Sequence, residues 1–231
     1  MSDTDNAGVG ARTMDEANTP MEISAILLSG TPASGKDTIT KILSQLDRRF
    51  CHFRKHKISS GGKLDESYFL VSAEEFENRK KSGGFIQYHE RYGRGYGVSV
   101  EEFLRVRKMG KIPIIHVGKY ENLQAFRDYG LTDSAISVLL YADRKVTKDR
   151  LKLRHRENEE VEQRLVAYNE ELQQLRERLS ETGKLDFNLV IINNGNDSSL
   201  PAQKIIDKLR ERPSDEEARA SLDRIILCTN A

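Results

Sequence analysis

Tryptophan is absent from this chain, and its only two cysteines, Cys51 and Cys228, lie too far apart in sequence to suggest a disulfide framework. A reducing, cytoplasmic setting is the expectation. Net charge is also missing: 37 basic and 36 acidic side chains leave +1, so no global field favours nucleic acid or a membrane surface. Any basic site must therefore be local. Residues 1–21 are polar and acidic with no apolar core, which predicts a disordered tail rather than a secretory signal or a membrane helix. No internal repeat and no low-complexity run is found. At 231 residues and 37% apolar content, the chain can bury one α/β core with small lobes, but hardly two full domains.

What is present is concentrated at residues 25–38, AILLSGTPASGKDT. An apolar run ends at Gly30, and Gly30, Thr31, Pro32, Ala33, Ser34, Gly35 and Lys36 fit the G-x-x-x-x-G-K spacing of a phosphate-binding loop. The glycines let the backbone curl so that its N–H groups face phosphate oxygens, and the following helix adds its positive end. Lys36 then supplies a fixed positive charge to the terminal phosphates. Asp37 stands where the simplest motif has a hydroxyl, which comes one place later at Thr38. Both are candidate magnesium ligands. Asp37 reads equally well as an acid stabilising the helix dipole. Ile39, Leu43 and Leu46 give the segment after the loop an apolar helical face.

Along the rest of the chain, 112–117, 135–141 and 189–192 are short, nearly continuous apolar runs, as expected for strands buried on both faces. Helices are predicted at 120–129, from a cap at Asp143 to about 154, and at 159–180 with Val161, Leu165, Tyr168, Leu172 and Leu175 as its seam. The pattern predicts a mainly parallel sheet with helices on both sides. Between 53 and 98 glycines break the chain into short pieces, with strands expected at 68–72 and 85–88 and helix starts at the capping boxes of Ser72 and Ser99. This reads as a small strand-rich lobe inserted to hold a second substrate. The tail from 213 carries Leu222, Ile225 and Ile226 as one amphipathic stretch, expected to cover a domain edge or to mediate self-association into a homodimer.

The order of loop, lobe, arginine-rich segment and long helix resembles the guanylate kinase family of nucleoside monophosphate kinases. Tyr68-Phe-Leu-Val-Ser-Ala-Glu-Glu-Phe76 is similar to the family's Tyr-x-Phe-Val-Ser-x-x-Glu-Phe. Gly84-Phe-Ile-Gln-Tyr88 with Gly95-Tyr96-Gly97 is similar to its Gly-x-Phe-[Leu/Ile]-Glu-[Trp/Tyr]…Tyr-Tyr-Gly. Arg150, Arg154, Arg156 and Arg164 look like its mobile lid, at about 150–165. The resemblance implies a three-layer P-loop NTPase α/β fold over 22–212, with an acceptor lobe at about 53–98. It also implies an ATP-dependent, magnesium-assisted phosphotransferase, with the four arginines and Lys36 as catalytic groups.

Departures from the family fall where the acceptor base should be read. Gln87 replaces the glutamate that hydrogen-bonds guanine, Val98 replaces a serine, and His116-Val-Gly118 replaces the Asp-x-Asp of the central strand. The arginine pair that grips the acceptor phosphate is represented only by Arg54, Lys55, His56 and Lys57. A neutral amide facing guanine leaves a buried donor mismatched, at a cost of about 1–3 kcal/mol. Gly35-Lys36-Asp37, Arg154-x-Arg156-Glu157 and the lost carboxylates also resemble the ribose 1,5-bisphosphate phosphokinases. The acceptor is therefore expected to be a small phosphorylated molecule, a nucleotide or sugar phosphate, other than GMP. Arg54, Lys57, Tyr68, Gln87, Tyr96 and His116 are its candidate contacts.

Two other readings use the same residues. A basic cluster of Arg91, Arg94, Arg105, Arg107, Lys108 and Lys111, interleaved with Tyr88, Tyr92 and Tyr96, suits a kinase acting on a nucleic-acid end or modified base. A non-catalytic interaction module is the second, disfavoured by the intact Gly30, Gly35 and Lys36. His52, His89 and His155 form no metal-ligand spacing with the cysteines.

Overall fold

A computed structural model describes residues 23–59, 66–91, 93–118, 120–131, 134–154, 158–183 and 187–211. Both predicted tails and Arg156 lie outside these described residues. Five parallel strands form the central sheet: β1 (Ala25–Gly30), β2 (Phe50–His52), β7 (Ile112–His116), β8 (Ala135–Tyr141) and β9 (Leu189–Ile192), in the spatial order β2-β7-β1-β8-β9. Every neighbouring pair in it is parallel.

Alternation along β1 separates the layers. Ala25 and Leu27 belong to a core with Phe103 and Val106 of α3 (Val100–Lys108), Leu123 and Phe126 of α4 (Asn122–Asp128), and Tyr168, Leu172 and Leu175 of α6 (Asn158–Thr182). Ile26 and Leu28 face the other side, against Ile39 and Leu43 of α1 (Lys36–Leu46) and Ala202, Ile205 and Ile206 of α7 (Ser199–Glu211). A sheet with both faces covered this way is the three-layer arrangement expected of a phosphate-loop α/β fold. Leu46 departs from its expected place: it lies in the last turn of α1 and is 50% exposed, while Thr40 is buried in the face. No helix among the described residues is long and apolar enough to cross a membrane.

The inserted lobe holds four strands where two were expected. β3 (Lys55–Ile58), β4 (Tyr68–Val71), β5 (Phe85–Arg91) and β6 (Arg94–Ser99) form a second sheet in the order β4-β3-β6-β5. The sequences KHKI and RGYGVS hid β3 and β6, because basic residues and glycines disfavour strands locally and pairing with neighbours overrides that preference. One face packs on α2 (Ala73–Lys81) through Ile58, Val71, Phe76 and Phe85. Ser72 and Ser99 accept from the N–H groups of Glu75 and Glu102, so both predicted caps form. Ile86 and Val98 join the main core and root the lobe in it.

Gly97 is a packing position. A Cβ there would stand 2.5 Å from the Phe85 ring, which is itself held by Phe76 at a 4.8 Å centroid distance. Gly97→Ala is expected to destabilise the lobe by roughly 1–3 kcal/mol, the usual range for overpacking. Amide exchange should show this as faster opening across β5 and β6 than across β1 and β8; unchanged protection would contradict the packing argument.

Candidate active site

All five parallel strands end at the same edge, where open α/β sheets place ligands. β1 delivers the loop, β7 delivers His116, β8 ends at Tyr141, and β9 leads into Asn193. Gly30 (φ 153°) runs so close to β8 that a Cβ would sit 2.1 Å from the Leu140 carbonyl oxygen. Gly35 (φ 98°) caps α1 in a conformation that suits glycine, and Asn193 Nδ2, 2.6 Å from where its Cβ would lie, leaves no room for one. Buried Asn193 also donates to the Ser34 carbonyl at 2.8 Å, so it props the loop from the neighbouring strand end. Thr31 Oγ1 and Ser34 Oγ are buried without a hydrogen-bond partner among the described residues. Thr31 and Pro32 are buried, and Ala33 holds a left-handed φ of 53°.

Lys36 folds back on this loop. Its Nζ donates to the carbonyls of Gly30 at 2.6 Å and Thr31 at 3.0 Å. Burial pushes its pKa down to about 8, with Glu171 opposing the shift. Glu171 is paired with Arg91 at 2.9 Å.

The arginine-rich segment docks on the loop. Arg150 Nη1 donates to Ala33 O at 3.3 Å and Nη2 to Gly195 O at 2.8 Å, tying α5 (Arg144–Arg154) to two strand ends at once. Leu151, Val161 and Leu165 form a small apolar cluster against Ala33. Arg154 is exposed at the end of α5 and adds to the positive field that lowers the pKa of Lys36. Arg164 is half-buried on α6.

Asp37 and Thr38 are exposed on the first turn of α1, where N–H groups have no partner within the helix. The Asp37 carboxylate is 3.6 Å from His116 Nδ1, while His116 Nε2 and Thr40 Oγ1 share a 2.7 Å hydrogen bond. Burial, then the neighbouring His52, Lys36 and Lys55, hold His116 well below the ordinary histidine pKa, so it is neutral at pH 7. Asp37 thus gains no positive charge from His116, though it interacts with the Lys36 ammonium, and its exposed oxygen pair suits a hard divalent ion.

In the lobe, the period of two gathers one set of side chains on the open face. Lys55 and Lys57 of β3 lie in register with Tyr68 of β4 and Tyr96 of β6, while Gln87, His89 and Arg91 alternate along β5. Lys57 Nζ sits 4.5 Å from the Tyr68 ring centroid and 5.7 Å from that of Tyr96. Arg54 is placed elsewhere: its guanidinium covers Phe69 at 4.2 Å and donates to Tyr68 O at 2.9 Å. Lys55 is the lysine brought to the loop instead. It is 8% exposed, and burial, together with Arg91 and Lys36, lowers its pKa to about 8.

Thr40 and Asn193 were not singled out from sequence, Lys55 was named only within its basic run, and His89 only as a rejected metal ligand. Their signal is position: Asn193 follows an apolar strand, and Lys55 and His89 have strand-alternating neighbours. Of the basic cluster at 91–111, Arg105 pairs with Glu102 at 2.7 Å, Arg107 donates to Ile23 O and Lys111 O, and Lys111 donates to Arg48 O. These contacts serve the fold.

A family model described as guanylate kinase matches residues 22–209. A guanylate kinase of Syntrophus aciditrophicus is 26% identical over 199 residues, covering 85% of this chain and 88% of that protein. The pig enzyme, from Sus scrofa, is 28% identical over 186 residues, covering 78% and 89%. A shorter match, 31% over 113 residues, covers 45% of this chain and little more than half, 56%, of a Mycoplasmopsis pulmonis guanylate kinase. The crystal structure of guanylate kinase from Anaplasma phagocytophilum superposes with a TM-score of 0.56 at 18% identity over 84% of this chain and 88% of that one, which fixes the fold.

The two depressed lysines make binding proton-linked. Free protein at pH 8.5 holds Lys55 largely neutral, and a phosphate dianion beside it restores the ammonium. Phosphorylated ligands should therefore bind with proton uptake at pH 8.5 and with almost none from lysine at pH 6.5. Calorimetry in buffers of different ionisation enthalpy measures this. Lys55→Met should remove the share of the uptake that Lys55 contributes and leave that of Lys36; an unaltered value would place the phosphate elsewhere.

Proposed function

Because the chain belongs to the guanylate kinase family, whose members are ATP-dependent phosphotransferases, we propose that it transfers the γ-phosphoryl group of ATP to a small phosphorylated acceptor other than GMP. The observation that carries this reading is Lys55. A buried ammonium is costly unless an anion accompanies it, and among the described residues Lys55 makes no ion pair. An acceptor phosphate supplies that anion between the lobe and the donor loop.

Phosphoryl transfer asks the protein mainly for alignment and positive charge. The loop amides and Lys36 bind the donor phosphates, with Lys36 exchanging its two carbonyl contacts for phosphate oxygens. Arg150 holds the lid segment against the loop, and Arg154 and Arg164 add charge from α5 and α6. Asp37 and Thr38 are the oxygen ligands offered to magnesium, which when bound neutralises charge on the donor phosphates. Lys55, Lys57, Tyr68 and Tyr96 face the acceptor. Lid packing against Ala33 excludes water from the loop, which limits idle hydrolysis of ATP.

Against GMP stands the buried Gln87, whose Nε2 donates to His89 Nδ1 at 3.0 Å instead of presenting a carboxylate. The His116-Val-Gly118 segment brings no carboxylate either.

Measuring ADP release across nucleoside monophosphates and sugar phosphates tests the proposal. Turnover is expected with at least one phosphorylated acceptor, and GMP should be slower than the best by 100-fold or more. Lys36→Ala should lower that turnover by at least 100-fold. Ordinary GMP turnover would remove the acceptor assignment, and full activity of Lys36→Ala would remove the donor site.

A further inference from the structure

One imidazole is gripped by two residues of a single helix face. Asp37 and Thr40 lie three positions apart on α1, so their side chains stand about one turn from each other on the same side. His116, at the end of β7, meets both. Its Nε2 shares the 2.7 Å hydrogen bond with Thr40 Oγ1, and its Nδ1 lies 3.6 Å from the Asp37 carboxylate. Thr40 is 2% exposed and the His116 side chain 17%, whereas the side chain of Asp37 is 72% exposed. The inner end of this row is therefore held by packing, and its outer end presents a carboxylate beside Lys36.

The hydrogen bond decides which way the ring serves Asp37. When Thr40 donates its hydroxyl hydrogen to Nε2, the ring hydrogen sits on Nδ1 and faces the carboxylate. The other tautomer would set a nitrogen lone pair against an anion, so the first is favoured. At 3.6 Å the contact is too long for a strong hydrogen bond, yet an N–H dipole at that range still orients a carboxylate. His52 of β2 packs beside the imidazole, with 5.0 Å between ring centroids. A carboxylate at position 116 would repel Asp37, where the imidazole turns a donor towards it. The acid gained at 37 and the acid missing at 116 thus form one exchange.

We propose that His116, fixed by Thr40, is a positioning residue that aims Asp37 at the magnesium ion of the donor nucleotide, so that His116 serves the donor side of the site. The inference rests on the ATP-dependent kinase reading above and adds to it two residues that act through Asp37. The donor atoms fit the ion, since exposed carboxylate oxygens suit a hard divalent cation and Asp37 directly follows the loop lysine, where the simplest motif places its magnesium ligand.

Calorimetry on the full-length protein gives the affinity of a non-hydrolysable ATP analogue with magnesium and with EDTA, and the ratio of the two reads what the metal adds. Asp37→Asn and His116→Leu should each lower that ratio by roughly tenfold, and Thr40→Val by about fivefold, through the magnesium arm in the latter two. Asp37→Asn combined with His116→Leu should fall no further than Asp37→Asn alone, because the histidine acts only through the carboxylate. His116→Asn, whose amide N–H comes near the place of Nδ1, should keep most of the ratio. His116→Gln, whose longer amide reaches towards Thr40 instead, should lose it, and supplies the contrast should His116→Leu fail to fold.

An unchanged ratio in Thr40→Val and in a His116→Leu or His116→Gln variant that binds the metal-free analogue overturns the proposal. Equal losses in His116→Asn and His116→Gln overturn it as well, since they would mark the packing of the ring and not its N–H. So does a double variant whose loss is the full sum of the single ones. The reading it rests on fails separately: wild type that bound the analogue neither with magnesium nor without it would remove the kinase reading itself.

Discussion

The backbone of Gly30 passes so close to the Leu140 carbonyl that no side chain fits between them, and most of the site is laid out from that contact. It fixes where β1 stops and the loop begins, against the strand that is its partner in register from Ala25 to Gly30. With that start fixed, Asn193 from the next strand end meets the far side of the loop at Ser34 and Gly35, and Arg150 reaches Ala33 from α5. Three separate segments therefore hold one loop, β8 by close backbone approach at Gly30, and the β9 end and α5 by hydrogen bonds to loop carbonyls. Such a loop depends on the parallel sheet beneath it, because only parallel strands bring their C-terminal ends to one edge.

The lobe follows a different logic. Its sheet is thin, and the two faces divide the labour by alternation. Phe76 and Phe85 form a core with α2 on one side, and lysines, tyrosines, a glutamine and a histidine populate the other. Close packing of Gly95 and Gly97 on the phenylalanine side allows β6 to lie flat there. Positive charge then collects where lobe and loop face each other, with Arg91 and Lys36 near enough to Lys55 to add to the lowering of its pKa that burial causes. Glu171 offsets part of this by pairing with Arg91.

The donor half was legible in the sequence because its chemistry is contiguous: seven residues from Gly30 to Lys36 carry the motif, and the flanking strand and helix are strongly periodic. The three apolar strands at 112–117, 135–141 and 189–192 were legible for the same reason, with β7 stopping one residue early at His116. The acceptor half was less so. In the run Arg54, Lys55, His56, Lys57 composition alone does not say which cation faces the cleft; strand register does, and it selects Lys55 and Lys57 while Arg54 turns to Phe69. His89 was weighed only as a metal ligand, and its place on a strand was missed, because β5 was expected to end at 88 and extends to Arg91. Thr40 and Asn193 act through neighbours distant in sequence, 76 positions away at His116 and 159 at Ser34, and no local pattern encodes such pairings.

Lys36 bonded to the carbonyls of Gly30 and Thr31 ties the end of the loop back to its start. The ammonium grips the loop from within, so its curl is held by a side chain of the loop itself as well as by the neighbouring strands. A segment ordered in this way has little conformational entropy left to lose in any later contact.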